Sequence, residues 1–220
     1  MMKKIAIIGT DNRNRMVLTR ALSYITGYDI AGKTDYAIQA VRYGLPKELK
    51  DCRWQELFVY LLASFSERIE IEQHYPRFIS NGGVLLELAM AKTLLKTQTA
   101  SRRQLKEMQV MLSGTEKVIT GYAIRQYDSL VLIENGFAKE DVFSHELENC
   151  MKSLIAEHRS VYRVRQESIL ADMLESISAE FQLSPVVSSQ TALKKAQDEV
   201  YKTTPFPLKN KAKKCPFSDS

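Results

Sequence analysis

Short, wholly apolar runs alternate along this chain with stretches whose apolar residues recur every three or four positions. The first run, Ile5-Ala6-Ile7-Ile8, stops at Gly9 and reads as a buried strand. Behind it, Met16, Val17, Ala21, Leu22 and Ile25 fall on one face of a helix, so strand, tight turn and helix occupy residues 3 to 26. The spacing next predicts a short strand at 28 to 31 and a helix from Asp35 to Tyr43, broken by Gly44 and Pro46. A long helix follows from Trp54 to Tyr75; its first half is apolar nearly all round and is expected to pack deeply. After Pro76 come a short strand and a glycine turn, "RFISNGG", then a helix over "VLLELAMAKTLLK".

Residues 97 to 117 are polar, with a peripheral helix over "SRRQLKEMQVML". "YDSLVLIE" is a further buried strand closed by Asn135-Gly136. "EDVFSHELENCMKSLIAEH" is an amphipathic helix with Asp141 at its N-cap. "SVYRVR" and "QESILADMLESISAEF" supply a last strand and a last helix. Alternating strands and helices imply an α/β fold: a three-layer sandwich, its mostly parallel sheet covered by helices on both faces. Beyond Ser184 the pattern gives way to Ser, Thr, Pro and Lys, so the expected organisation is one domain over 1–183 and a basic arm over 184–220.

Composition changes this picture little. The 220 residues are 45% hydrophobic and 26% charged, as in ordinary globular proteins. No apolar run nears the ~20 residues that span a bilayer, and the apolar stretch after Met1 is too short for a signal peptide, so a cytoplasmic protein is expected. Cys52, Cys150 and Cys215 are widely spaced, and with only His74, His145 and His158 they form no metal pattern. Of the net charge of +5, residues 184–220 supply +4 through seven lysines against Asp198, Glu199 and Asp219. Without interleaved aromatics that arm reads as a solvated tail, and nucleic acid is disfavoured as a partner.

Two segments match a phosphate-binding loop, each by half. Such a loop needs a buried strand before it and a helix after it; its backbone N–H groups and Lys hold phosphates, and its Ser/Thr hydroxyl ligates Mg²⁺. "GYDIAGKT" has the letters, with Lys33 and Thr34 in place, but it follows a helix. There Gly27 reads as a helix terminator, and Lys33 and Thr34 as the opening of the next helix. "GTDNRNRM" has the architecture without the letters. Laid on the template, Gly9 is the first glycine, Asn14 stands for the second, Arg15 for the lysine and Met16 for the hydroxyl residue. Gly9, Thr10, Asp11, Asn12, Arg13, Asn14 and Arg15 are therefore the candidate nucleotide-binding residues, with Lys33 and Thr34 as the alternative. Arg is larger and planar where Lys is a point charge, Asn crowds the approach, and Met offers no oxygen to a hard cation.

The runs "KKIAIIGT", "ERIEIEQHYPRFISNGGVLLELAMAK", "YDSLVLIENGFAKED" and "HELENCMKSLIAEHRSVYRVRQESILADML", in that order, resemble the small P-loop kinases of the AAA-28 type, related to nicotinamide-riboside-kinase-like domains. The resemblance covers roughly residues 3 to 183 and implies a P-loop NTPase-like fold and ATP-dependent kinase or nucleotide-binding activity. It also places Asn81 where the family carries an acidic residue in Phe-Ile-Ser-Asp that would support Mg²⁺ or activate the acceptor, and Asn, being neutral, cannot serve as a base. Loop cation, metal ligand and acid are altered together. The expectation is a kinase-like protein with impaired catalysis that binds ATP or another nucleotide weakly, Mg²⁺ being disfavoured, or that acts through a protein partner or self-association. The alternative is an active nucleoside or nucleotide kinase that uses Arg15 or Lys33 as its cation and recruits Mg²⁺ through Asp11, Glu87 or Asp128. Arg125, Arg159, Arg163 and Arg165 are the arginines near the expected lid. Trp54, Phe58 and Tyr60, at helical spacing, are expected in the core.

Overall fold

A computed structural model describes residues 3–32, 36–96, 101–134, 142–165, 169–183 and 185–203. Five strands, β1 (Lys4–Gly9), β2 (Asp29–Ala31), β3 (Phe78–Asn81), β4 (Ser129–Glu134) and β5 (Val161–Arg165), pair in parallel in the order β2-β3-β1-β4-β5. The helices are α1 (Asn12–Thr26), α2 (Tyr36–Tyr43), α3 (Trp54–Gln73), α4 (Gly83–Lys96), α5 (Arg102–Gln126), α6 (Val142–Leu154), α7 (Leu170–Glu180) and α8 (Ser189–Thr203), with a 3-10 turn at Leu49–Asp51.

The twofold period of a strand sorts the core into two layers. Ile5, Ile7, Ile79, Val131 and Ile133 face one side and pack with α1, α7 and α8. Ala6, Ile8, Phe78, Leu130 and Leu132 face the other and pack with α4 and α6, over which residues of α3 and α5 close. A strand buried on both faces has no polar side to show, which is why the sheet reads as continuous apolar runs. The expected α/β sandwich with helices on both faces is the observed architecture.

A helix end explains the half-match at "GYDIAGKT". Gly27 caps α1 with left-handed backbone (φ 66°) and donates its N–H to the Ser23 carbonyl at 2.8 Å. Asp29–Ala31 is then a strand, as the pattern indicates. Lys33 and Thr34 lie outside the described residues, as do Asp141, the Asn135-Gly136 pair and residues 204–220.

Three elements differ from the sequence reading. Helix α5 runs on to Gln126, because Ile119 and Ala123 keep a buried face through its polar text. The first half of α3 is not sunk in the core: Val59 is 44% and Leu62 50% exposed, since α3 lies outside α4 with only one face covered. Past residue 183, α8 packs along α1 through Ala192, Ala196 and Val200, small apolar residues at four-residue spacing that are easily lost among lysines. Arg20 pairs with Glu199 at 3.0 Å, and Lys195 lies over the Tyr24 ring.

Gly9 is required for packing where β1 passes β4. A Cβ there would lie 2.9 Å from the Ile133 Cβ and 3.1 Å from its carbonyl oxygen. At Gly27 nothing lies within 4 Å and only the backbone conformation resists a side chain. Gly9→Ala should therefore cost about 1–3 kcal/mol in chemical denaturation, and Gly27→Ala about 1–2 kcal/mol. A Gly9→Ala protein as stable as the parent would contradict the close approach.

Candidate functional site

Parallel strands deliver their carboxyl ends to one edge, where β1, β2 and β3 end at Gly9, Ala31 and Asn81. Over this edge opens a cleft of about 700 Å³, within the usual range for small-molecule sites. Its wall is apolar and aromatic where α2, α3, α4 and α6 contribute Tyr36, Tyr60, Leu86, Met90 and Phe143. Its polar side is Thr10, Asn12, Arg15, Asn81 and Glu87.

Arg15 reaches back across the strand ends instead of into solvent. Its Nε donates to Asn81 Oδ1 at 2.7 Å, Nη1 to the Gly9 carbonyl at 2.5 Å and Nη2 to Asn12 Oδ1 at 2.6 Å. Burial, with Arg68 nearby, pulls its pKa down to about 10, so it stays a cation at neutral pH. Its guanidinium thus ties the end of β1 to the end of β3.

The turn before α1 also differs from a phosphate loop. The helix begins at Asn12, ahead of the Asn14-Arg15-Met16 triplet that the template sets at the helix start. No residue from Gly9 to Met16 has left-handed backbone, so the alternating conformation that curls N–H groups into an anion nest is not formed. The anion at this helix N-terminus is internal: Asp11 is the N-cap, and its Oδ1 accepts the Asn14 N–H at 3.0 Å. A phosphate brought to about 4 Å of that carboxylate would meet roughly 4 kcal/mol of repulsion per unit charge at an effective dielectric constant of 20. Met16 lines the cleft without an oxygen for a cation. Arg13 is turned away, its guanidinium 5.3 Å from the Tyr201 ring on α8. These residues do not fit a Mg²⁺-bound triphosphate.

A buried charge network reaches the cleft through Arg68 and Glu87. Arg68, fully buried on α3, donates Nε and Nη2 to Glu87 Oε1 at 3.1 and 2.7 Å, and Nη1 to Ser80 Oγ at 2.7 Å. Glu72, one turn further along α3, accepts from Ser80 Oγ, Tyr127 and Tyr122, each at 2.9 Å. Burial raises the Glu72 pKa, against the opposing pull of Arg68 and the three hydroxyls. For Arg68, burial acts to lower the pKa, but Glu87 and Glu72 outweigh it and hold the group charged.

Of the sequence-named acids, Glu87 is therefore engaged by Arg68 and Asp11 by its own helix. Asp128 lies at the opposite edge of the sheet, where its Oδ2 accepts the Lys4 N–H at 2.8 Å. Arg163 pairs with Glu134 at 3.5 Å beside the carboxyl edge. His158 is held by the Ser160 and Tyr127 carbonyls, away from the cleft. Trp54 and Phe58 pack edge to face in a satellite core, while Tyr60 reaches the cleft. Among the described residues no group of His, Cys, Asp or Glu is placed to hold a metal. Sequence reasoning missed Arg68, Glu72, Tyr122 and Tyr127; the available signal was an Arg–Glu pair at i, i+4 inside an apolar helix.

Removing one partner of a buried pair leaves the other charge without compensation. Arg68→Met should cost about 3–5 kcal/mol of stability, and adding Glu87→Leu should recover part of that loss. Urea unfolding of both variants checks this, and a double variant no more stable than the single one would contradict it.

No family model and no curated protein sequence matches the chain. Among solved structures it is similar to a deoxyadenosine kinase from M. mycoides determined with bound dATP. The match has a TM-score of 0.60 at 14% identity and covers 81% of this chain and 99% of that one. At that identity the likeness establishes the fold alone, a parallel α/β sandwich shared with that kinase.

Proposed function

We propose that this chain is a divergent P-loop kinase, of the AAA-28 or nicotinamide-riboside-kinase-like type, in which phosphoryl transfer has been lost. Its cleft binds a nucleoside or nucleotide weakly and without Mg²⁺, or serves a protein partner. The reading rests on Arg15, whose guanidinium spans Gly9, Asn12 and Asn81 where a nucleotide's phosphates would have to lie. Phosphoryl transfer depends on positioning and charge stabilisation by loop, cation and metal. Here Asp11 supplies an anion at the helix start, Met16 no metal ligand and Asn81 no base. The dATP bound by the structural relative supports a nucleotide as the ligand class, and the cleft volume suits one.

A second reading has its own support. Ile30 and Gly32 line the cleft, and Lys33, next in sequence to a cleft residue, is the loop cation of an active kinase on this reading.

Titration calorimetry with ATP, with and without Mg²⁺, together with an assay of γ-phosphate release, separates the two. The proposal predicts weak ATP binding that Mg²⁺ does not strengthen, and no turnover. Tight Mg²⁺-dependent binding and turnover, both abolished by Lys33→Ala, would overturn it in favour of the second reading. Combining Asp11→Ala, Asn14→Gly, Arg15→Lys and Met16→Thr should raise ATP affinity at least tenfold if the inherited cleft survives. An unchanged affinity would leave the partner-binding role.

A further inference from the structure

Arg15, Arg20 and Arg68 all line the cleft, but they are held differently. Arg15 and Arg68 are buried and tied to backbone and side-chain oxygens. Arg20 stands two turns into α1, where Met16, Thr19 and Arg20 meet the cleft at the i, i+3, i+4 spacing of one helix face. Its side chain is 34% exposed, and its Nη1 donates to Glu199 Oε2 on α8 at 3.0 Å. Glu199 is itself 37% exposed. Exposed pairs of this kind contribute little to stability, so Arg20 can exchange partners where the buried arginines cannot.

Arg20 is also clear of the Asp11 carboxylate. Nine residues of helix set the two apart by roughly 13 Å along the axis, more than the ~8 Å screening length at physiological ionic strength. An anionic group beside Arg20 therefore escapes most of the repulsion that Asp11 sets at the helix start. The carboxylate it must displace is Glu199. That side chain bridges two α1 residues one turn apart, Oε1 accepting from the Tyr24 hydroxyl and Oε2 from Arg20. Nearby, Lys195 lies 4.0 Å over the Tyr24 ring and Arg13 5.3 Å over the Tyr201 ring. Between the two helices lie Ala192, Ala196 and Val200, small side chains that each bury little apolar surface. The polar contacts in its C-terminal half therefore matter to how firmly α8 holds α1.

We infer that Arg20 is the residue that meets a ligand's phosphate or pyrophosphate group in the cleft, and that Glu199 withholds it, so that α8 is an autoinhibitory latch. For the ligand class this rests on the reading of the cleft as a weak nucleotide site. Phosphate oxygens and the Glu199 carboxylate compete for one guanidinium, both being good acceptors of its charged N–H groups. Binding unpairs Glu199 and loosens the last turn of α8. By linkage, whatever draws α8 away raises the anion affinity of the cleft.

Titration calorimetry of the full chain at low salt, with inorganic pyrophosphate and without Mg²⁺, tests the latch. Glu199→Gln should bind pyrophosphate about fivefold more tightly than the parent, the upper range for release of an exposed pair. Adding Arg20→Gln should remove that gain. Glu107→Gln, the same loss of charge at a distant site on α5, should leave the affinity nearly unchanged. In the parent, saturating pyrophosphate should speed amide hydrogen exchange over residues 199–203 and leave β1 as it was. A Glu199→Gln protein that binds no more tightly than Glu107→Gln would overturn the inference. So would a gain that survives Arg20→Gln, or α8 amides indifferent to pyrophosphate. Tight Mg²⁺-dependent ATP binding would instead overturn the proposed function, and the pyrophosphate outcomes would still decide whether Glu199 withholds Arg20.

Discussion

One constraint dominates this molecule: two arginines are held at the carboxyl edge of a parallel sheet, and their charge must be answered from within. Arg68 is buried completely and is answered by Glu87 and Glu72. Arg15 is answered by oxygens of Gly9, Asn12 and Asn81. The same bonds stitch the elements together, since Arg68 also reaches the Ala31 and Asn81 carbonyls at 3.4 and 3.3 Å. Breaking such a network leaves an uncompensated buried charge, so it fixes the geometry of the edge more firmly than apolar packing alone would.

In a nucleotide-binding loop the same edge is kept open for a ligand's negative charge. Here the protein supplies its own, with Asp11 at the helix start and a guanidinium drawn back over the strand ends. Each substitution taken singly is mild. Under the proposed function, together they set internal contacts where an anion cradle would otherwise stand. The functional reading thus follows from competition: groups already paired are not available to a substrate without breaking the pairs.

Much of the architecture was legible in the text of the chain. Continuous apolar runs gave β1 and β4, because strands buried on both faces need no alternation. Gly27 was legible as a terminator because only a residue tolerant of positive φ ends a helix that way. What escaped depends on three-dimensional neighbours. The α8 helix hides its small buried residues among lysines, and α3 looks core-like although α4 takes the position nearest the sheet. Of the loop residues named from the sequence, Gly9, Thr10, Asn12 and Arg15 line the cleft, but their pairing could not be read. Nothing in "GTDNRNRM" says that Arg15 turns back, since that depends on Asn81 standing across the strand end, whereas the Asp11 cap is local to the segment.

The most direct measurement follows the Arg15 side chain itself by NMR, through its Nε–H resonance, as ATP is added with Mg²⁺. The account predicts a hydrogen-bonded Nε–H that is slow to exchange with water and does not shift at millimolar nucleotide. A resonance that moves to a new position with saturating, micromolar Mg²⁺-dependent affinity would show the guanidinium released to a phosphate, and would contradict it.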